Sequence, residues 1–166
     1  THKGALFSFS VLLAALGRYL SDGGDVFAHA AALAAELTPP QDTHGAAVAA
    51  HHQVGGARAE VLAGFPTARK AAELLQTHDP LTVLLWLMAH TEDTNLYHRG
   101  GAEGAAFVKA QAAAILAAPP KQRTALTQAL DDALIDRWLS PGGCADLLAL
   151  ALFLNNFFTA FHFFGK

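Results

Sequence analysis

ALFSFSVLLAALGRYLSDGGDVFAHAAALAAEL, residues 5–37, repeats apolar side chains at intervals of three and four from Ala5 to Leu20 and again from Val26 to Leu37. That period lines the apolar residues along one face of a helix, so the stretch reads as two amphipathic helices separated by the Asp22-Gly23-Gly24 turn. Thr38-Pro39-Pro40 stops the second. Further along, a third helix is expected over 43–54, with Thr43 as N-cap and Gly55-Gly56 at its end. Gly64-Phe65-Pro66 breaks the chain, Thr67 is expected to cap a helix through Gln76, and Asp79-Pro80 starts another that reaches His90. The part of that helix from Leu81 to Met88 is apolar all round and belongs in the core. Helices over 102–117 and 121–139 are divided by Pro119-Pro120, and the last begins beside Ser140-Pro141. No stretch alternates like a strand, so the fold class is all-α: a single compact multi-helix domain of about eight helices over residues 1–166.

Composition narrows the function. At 166 residues and 52% hydrophobic content the chain can bury a sizeable core. A net charge of −3 with only 11 Lys and Arg excludes a nonspecific nucleic-acid binder, so any anion must be met by a few placed cations. Cys144 is the only cysteine, which excludes an intrachain disulfide and argues for a reducing, cytoplasmic setting. The segment from Leu147 to Phe164 is nearly long enough to span a bilayer, but Asn155, Asn156 and His162 make it a core helix, with no membrane partner expected. Because the chain opens at Thr1 inside a helix-start pattern, it reads as a fragment or processed product.

Five stretches combine glycine with charge and hydroxyl groups: Thr1-His2-Lys3-Gly4, Gly55-Gly56-Ala57-Arg58-Ala59-Glu60, Asp93-Thr94-Asn95, His98-Arg99-Gly100-Gly101 and Ser140-Pro141-Gly142-Gly143-Cys144-Ala145-Asp146. A helix-interior glycine costs roughly 1 kcal/mol relative to alanine, so glycines clustered beside Lys, Arg and Asp predict backbone that approaches a polyanion. The five are read as the walls of one phosphate-rich, metal-assisted active site. Ser140 as cap, Pro141 in the first turn and bare Gly142 and Gly143 would present N–H groups to a phosphate, with Asp146 close behind. Arg99 before Gly100 and Gly101 sets a guanidinium fork at a flexible helix entrance, suited to bidentate phosphate contact. Asp93 and Asn95 offer the hard oxygens that hold Mg²⁺ with waters and phosphates. Arg58 and Glu60 would point the same way in an extended segment, as an ion pair or a substrate clamp. Lys3 opposes the dipole of the first helix, which a bound anion would relieve and a frayed end would tolerate.

Two rival readings stand beside this one. His78-Asp79 is the residue pair at the core of metal-dependent HD phosphohydrolases, although Asp79 before Pro80 is explained more simply as a helix cap. His51 and His52 diverge on a helix, while His29, His44 and His162 lack partners at ligand spacing. The other rival is a noncatalytic helical docking module, which predicts that the five stretches share no site.

In their order, Thr1 to Ser8, Gly56 to Glu60 with Gly64-Phe65-Pro66, Asp93-Thr94-Asn95 with Arg99-Gly100-Gly101, and Ser140 to Leu148 resemble the triphosphoribosyl-dephospho-CoA synthase family over essentially the whole chain. The resemblance implies transfer of the triphosphoribosyl group of ATP to the 2′-hydroxyl of 3′-dephospho-CoA with release of adenine. The product would be the prosthetic-group precursor of the acyl carrier subunit of citrate lyase or malonate decarboxylase. It implies Mg²⁺ held at Asp93, and triphosphate contacts from Lys3, Arg58 and Arg99, with Asn95, Gly100, Gly101, Ser140, Gly142 and Gly143 lining the site. One carboxylate would stabilise positive charge on the ribose and another would take the hydroxyl proton; Asp93, Asp146 and Glu60 are the candidates, with the base unassigned. Two departures accompany the resemblance: the asparagine before Thr1 and an N-terminal portion with a Ser-Pro-Lys-Pro-Gly motif are missing, and Cys144 stands where serine is usual. An apolar patch is therefore expected where missing helices would pack, with Phe157, Phe158, Phe161, Phe163 and Phe164 taking part in association with that portion or with a second copy.

Overall fold

The computed structural model describes residues 3–38 and 55–161. The helix expected over 43–54 lies outside the described residues, as do the side chains of Phe158, Phe161, Phe163 and Phe164. Eight helices are described, and no strand occurs among these residues: α1 (Lys3–Asp22), α2 (Val26–Glu36), α3 (Ala57–Leu62), α4 (Pro66–Leu74), α5 (Pro80–His90), α6 (Thr94–Ala117), α7 (Pro120–Asp136) and α8 (Gly142–Phe161).

The helix starts follow from local chemistry. Asp25 Oδ1 accepts the Ala28 N–H at 2.7 Å and holds the first turn of α2, after Gly23 and Gly24 turn the chain with φ of 73° and 92°. Asp79 caps α5: Oδ1 accepts the Leu81 and Thr82 N–H groups, and Oδ2 accepts the Thr82 hydroxyl at 2.6 Å. The Thr82 hydroxyl, followed by the backbone N–H groups, holds the Asp79 carboxyl below its ordinary value. His78 meanwhile bonds Thr77 and the Leu74 carbonyl, so both members of the pair are occupied by local structure. Among the described residues no three His, Cys, Asp or Glu side chains gather as a metal cage, and the hydrolase reading has no structural support.

Three expectations change. Residues 57–62 are helical, with Gly56 at the N-cap, because Ala, Arg, Glu and Leu all favour a helix; Arg58 and Glu60 therefore diverge. Thr67 does not cap α4. It lies inside the first turn, behind Phe65 at the N-cap (φ 59°) and Pro66 at N1, and the Glu60 carboxylate caps the helix instead. Residues 94–100, behind the Asp93 N-cap, are helical and form the first turns of α6, ahead of one sharp break at Gly101, where φ is 61° and ψ is −163°. Only glycine adopts that region without strain.

Helix α8 runs through the middle, packed against α1, α4, α5 and α6; α2 and α3 close over α1, and α7 packs on α6. Leu12, Val61, Phe65, Leu87, Val108, Ile115, Leu150 and Leu154 are fully buried. As expected, α5 contributes Val83, Leu85, Leu87 and Met88 to this core. Helix α1 is the one described helix long and apolar enough, by length and composition, to cross a membrane. One of its faces carries Ser8, Val11, Leu12, Ala15 and Leu16, all buried against neighbouring helices, as in a core helix. Its other face leaves Leu6, Leu13 and Leu20 exposed at seven-residue spacing. Phe157 is stacked on Phe153, 5.8 Å between centroids, and half-buried.

Candidate functional site: four helix starts at one end

The N-terminal ends of α1, α3, α6 and α8 meet. Glycines mark the contacts, and at Gly4, Gly142 and Gly143 a side chain would crowd a neighbour. A Cβ on Gly4 would come within 3.1 Å of Asp146 Oδ2 and 3.6 Å of the Ala57 methyl. One on Gly56 would lie 3.8 Å from Thr94 Cγ2, one on Gly142 2.8 Å from Asn95 Nδ2, and one on Gly143 3.0 Å from Asp93 Cγ. Segments from 38 to 142 residues apart are thereby brought together, contrary to what a pure docking module predicts. A helix start carries a partial positive charge of about half an elementary unit, and at α6 and α8 that charge is met from within by the Asp93 carboxylate.

Asp93 is the keystone. It is 4% exposed; Oδ1 accepts the Asn95 N–H at 2.8 Å and caps α6, while Oδ2 accepts the Cys144 N–H at 2.9 Å in the first turn of α8. The carboxylate takes the N–H group that a phosphate at this helix start would need. Ser140 makes no capping bond among the described residues, and the room left by Gly142 and Gly143 is filled by Asn95 and Asp93. These three residues thus build the site from within; the expectation that they bind phosphate meets a carboxylate already in place. The same geometry weakens Asp93 as a Mg²⁺ ligand, since both oxygens are committed to backbone N–H groups and the side chain is buried.

Cys144, 1% exposed, sits beneath this cap. The Thr91 hydroxyl donates to the Leu87 carbonyl at 2.6 Å, so in the 3.2 Å contact between Cys144 Sγ and Thr91 Oγ1 the thiol is the donor. Burial, and after it the Asp93 carboxylate, pushes the thiol far above its ordinary value, leaving a neutral packing group unsuited to nucleophilic work.

The other expected residues have separate tasks. Glu60 Oε1 accepts the Thr67 and Ala68 N–H groups at 2.7 and 2.9 Å, an assignment to the start of α4. Arg58 Nη2 donates to the Leu37 carbonyl at 2.7 Å, closing the end of α2, while its Nη1 is buried without a hydrogen-bond partner among the described residues. Lys3 is exposed at the start of α1. Arg99, one turn beyond Asn95, donates from Nη1 to the Trp138 carbonyl at 3.3 Å. Gly100 has a packing reason: a Cβ there would lie 2.4 Å from Leu139 Cδ2. Gly101 is the reversal in α6. Neither glycine forms the flexible entrance expected from sequence.

Three residues escaped the sequence reading. Lys109 pairs with Glu92 Oε1, and the Tyr97 hydroxyl donates to Glu92 Oε2 at 2.6 Å. Burial pushes the Glu92 carboxyl up, but the Lys109 and Tyr97 hydrogen bonds together outweigh it and hold Glu92 below its ordinary value. Nothing in the spacing of Glu92, Tyr97 and Lys109 indicates the cluster, because Lys109 returns to Glu92 only through the break at Gly101.

If Glu60 serves as a cap, Glu60→Gln keeps an acceptor oxygen and should leave both stability and turnover near the unmodified values. Glu60→Ala should cost about 1 kcal/mol, a fall of roughly 2–4 °C in melting temperature. Loss of turnover in a fully stable Glu60→Gln variant would return Glu60 to the list of catalytic carboxylates.

The all-α domain expected from the sequence is the one observed among the described residues. The chain belongs to the ATP:dephospho-CoA triphosphoribosyl transferase family, whose model matches residues 1–162. Among curated proteins, one from Albidiferax ferrireducens, described as a probable 2-(5''-triphosphoribosyl)-3'-dephosphocoenzyme-A synthase, is 38% identical over 94% of this chain and 60% of its own length. The 2-(5''-triphosphoribosyl)-3'-dephosphocoenzyme-A synthase of Pectobacterium atrosepticum is 39% identical over 95% of this chain and 59% of its own length. The chain therefore spans about 60% of the length of these relatives. No solved structure matches it.

Proposed function

We propose that the protein of which this chain forms the helical body transfers the triphosphoribosyl group of ATP to the 2′-hydroxyl of 3′-dephospho-CoA. The hydroxyl oxygen bonds to C1′ of the ATP ribose, the C1′–N9 bond breaks, adenine leaves with the bonding pair and takes up a proton, and the hydroxyl proton passes to a base. The observation that carries this reading is the family match over residues 1–162, and it is supported by the meeting of stretches far apart in the chain at the starts of α1, α3, α6 and α8.

Asp146 is the catalytic carboxylate in this reading. Asp146 is half-buried in the second turn of α8, with Oδ2 facing Gly4 at the start of α1, where the stretches meet. There a carboxylate can stabilise positive charge growing on the ribose or accept the hydroxyl proton. Lys3 and Arg99 supply charge to the triphosphate. Arg58 Nη1, which has no acceptor among the described residues, supports an oxygen supplied by the substrate, since a buried charged donor left unmade is costly. Mg²⁺ would enter with ATP, coordinated by phosphate oxygens and water, and would neutralise triphosphate charge. Substrates of this kind place the protein in the cytoplasm, and the remaining length seen in the relatives would complete the site.

The test is incubation of the full-length protein with ATP, Mg²⁺ and dephospho-CoA, reading adenine by chromatography and the product by mass. Asp146→Asn should reduce adenine release at least tenfold with the melting temperature unchanged. No adenine from the unmodified protein would overturn the activity; undiminished release from Asp146→Asn would remove that residue from it.

A further inference from the structure

Two non-glycine residues adopt left-handed backbone, Phe65 at φ 59° and Trp138 at φ 56°. Such a conformation is unfavourable for a bulky side chain and persists only where something offsets it. At Phe65 the offset is plain: the ring is completely buried and meets Phe27 edge-on at 6.4 Å. Trp138 has no such compensation. Its side chain is 80% exposed, and it is the one aromatic in the exposed class among the described residues.

The backbone around Trp138 is a helix ending of a common kind. Trp138 N–H donates to the Ile135 carbonyl, and Leu139 N–H reaches back to the Leu134 carbonyl at 2.9 Å. The left-handed residue of such an ending is usually glycine. Here the largest side chain occupies it, projecting into solvent at a place where its absence would favour the fold.

Its location is specific. The Trp138 carbonyl accepts from Arg99, the next residue fills the notch at Gly100 and Gly104, and the chain then enters Ser140-Pro141-Gly142, where Gly142 meets Asn95. The Trp138 backbone is therefore held beside Arg99, just ahead of the start of α8, with its side chain exposed. We propose that Trp138 is a stacking platform for an adenine ring of the substrate. This rests on the proposed function, in which both ATP and dephospho-CoA carry adenine. A flat π-system that must be held while its glycosidic bond breaks is suited to an exposed, backbone-fixed indole, and base stacking of this kind does not depend on hydrogen-bond readout.

The test uses the full-length protein. Trp86→Phe removes the other tryptophan of this chain, and any tryptophan in the rest of the full-length protein is replaced by Phe in the same background. In that background ATP should quench the remaining fluorescence and tripolyphosphate should not; a parallel titration with dephospho-CoA shows which adenine occupies the platform. Trp138→Gly should raise the melting temperature by roughly 2–4 °C, since it restores the preferred residue at the helix end, yet weaken adenine-nucleotide binding about tenfold or more, leaving tripolyphosphate affinity unchanged. Trp138→Phe should recover most of the binding. If ATP and dephospho-CoA bind the Trp138→Gly protein as tightly as the unmodified one, the platform is overturned and the proposed function stands. A lower melting temperature with a change in oligomeric mass would show instead that the indole covers a protein surface. Should neither nucleotide bind the unmodified protein, the proposed function falls first and this inference with it.

Discussion

Asp93→Ala should destabilise the fold by about 3 kcal/mol, because it removes the N-cap of α6, worth about 1 kcal/mol, and strands the buried Cys144 N–H, worth about 1–3 kcal/mol. For a chain of this size that is a fall of roughly 6–12 °C in melting temperature, readable by circular dichroism. Asn at this position is no rescue. An amide has one acceptor oxygen, so its NH₂ would face one of the two backbone donors that the carboxylate now satisfies. A catalytic carboxylate lost without structural consequence would behave differently: turnover would vanish while the melting curve stayed in place. An unchanged melting temperature in Asp93→Ala would thus contradict the double cap and restore Asp93 as a group that faces substrate.

Gly101→Ala should be as severe. At φ 61° and ψ −163° the backbone lies in a region that is essentially closed to side chains, and holding alanine there costs on the order of 1–3 kcal/mol or more. The chain's other course is to straighten α6 through this position, which would carry Lys109 away from Glu92 and draw Leu139 out of the space at Gly100 and Gly104. Either way a loss of about 3 kcal/mol is expected, measured by denaturant or thermal unfolding. The alanine adds no clash of its own, since no atom lies within 4 Å of the Cβ position, so the penalty isolates the backbone conformation. A variant as stable as the parent would mean that α6 tolerates an ordinary residue at its break.

The two variants act on the same assembly from opposite sides. Asp93 ties the start of α6 to the start of α8, and Gly101 sets where the rest of α6 goes. Both lie within stretches that sequence reading assigned to ligand contact. Their glycines and carboxylate are accounted for first by how the protein holds itself together, and the groups left for a substrate are fewer: Asp146, Lys3, Arg99 and the Arg58 Nη1 donor, which has no partner among the described residues, with Trp138 beside Arg99.

The amphipathic period of residues 5–37, the all-apolar run from Leu81 to Met88 and the proline and glycine punctuation determined the all-α class and most helix boundaries, because periodicity and capping are local properties. The order of the glycine-charge stretches likewise carried the family. Sequence reading paired Arg58 with Glu60 on the condition of an extended segment, gave the cap of α4 to Thr67 and offered Asp93 to a metal. Those roles were decided by tertiary structure. A carboxylate's task depends on which N–H groups reach it: Thr67 and Ala68 for Glu60, Asn95 and Cys144 for Asp93. For Glu60 the donors lie within eight residues, yet only the left-handed turn at Phe65 brings them back. For Asp93 one donor comes from fifty-one residues away, through packing that no local pattern encodes.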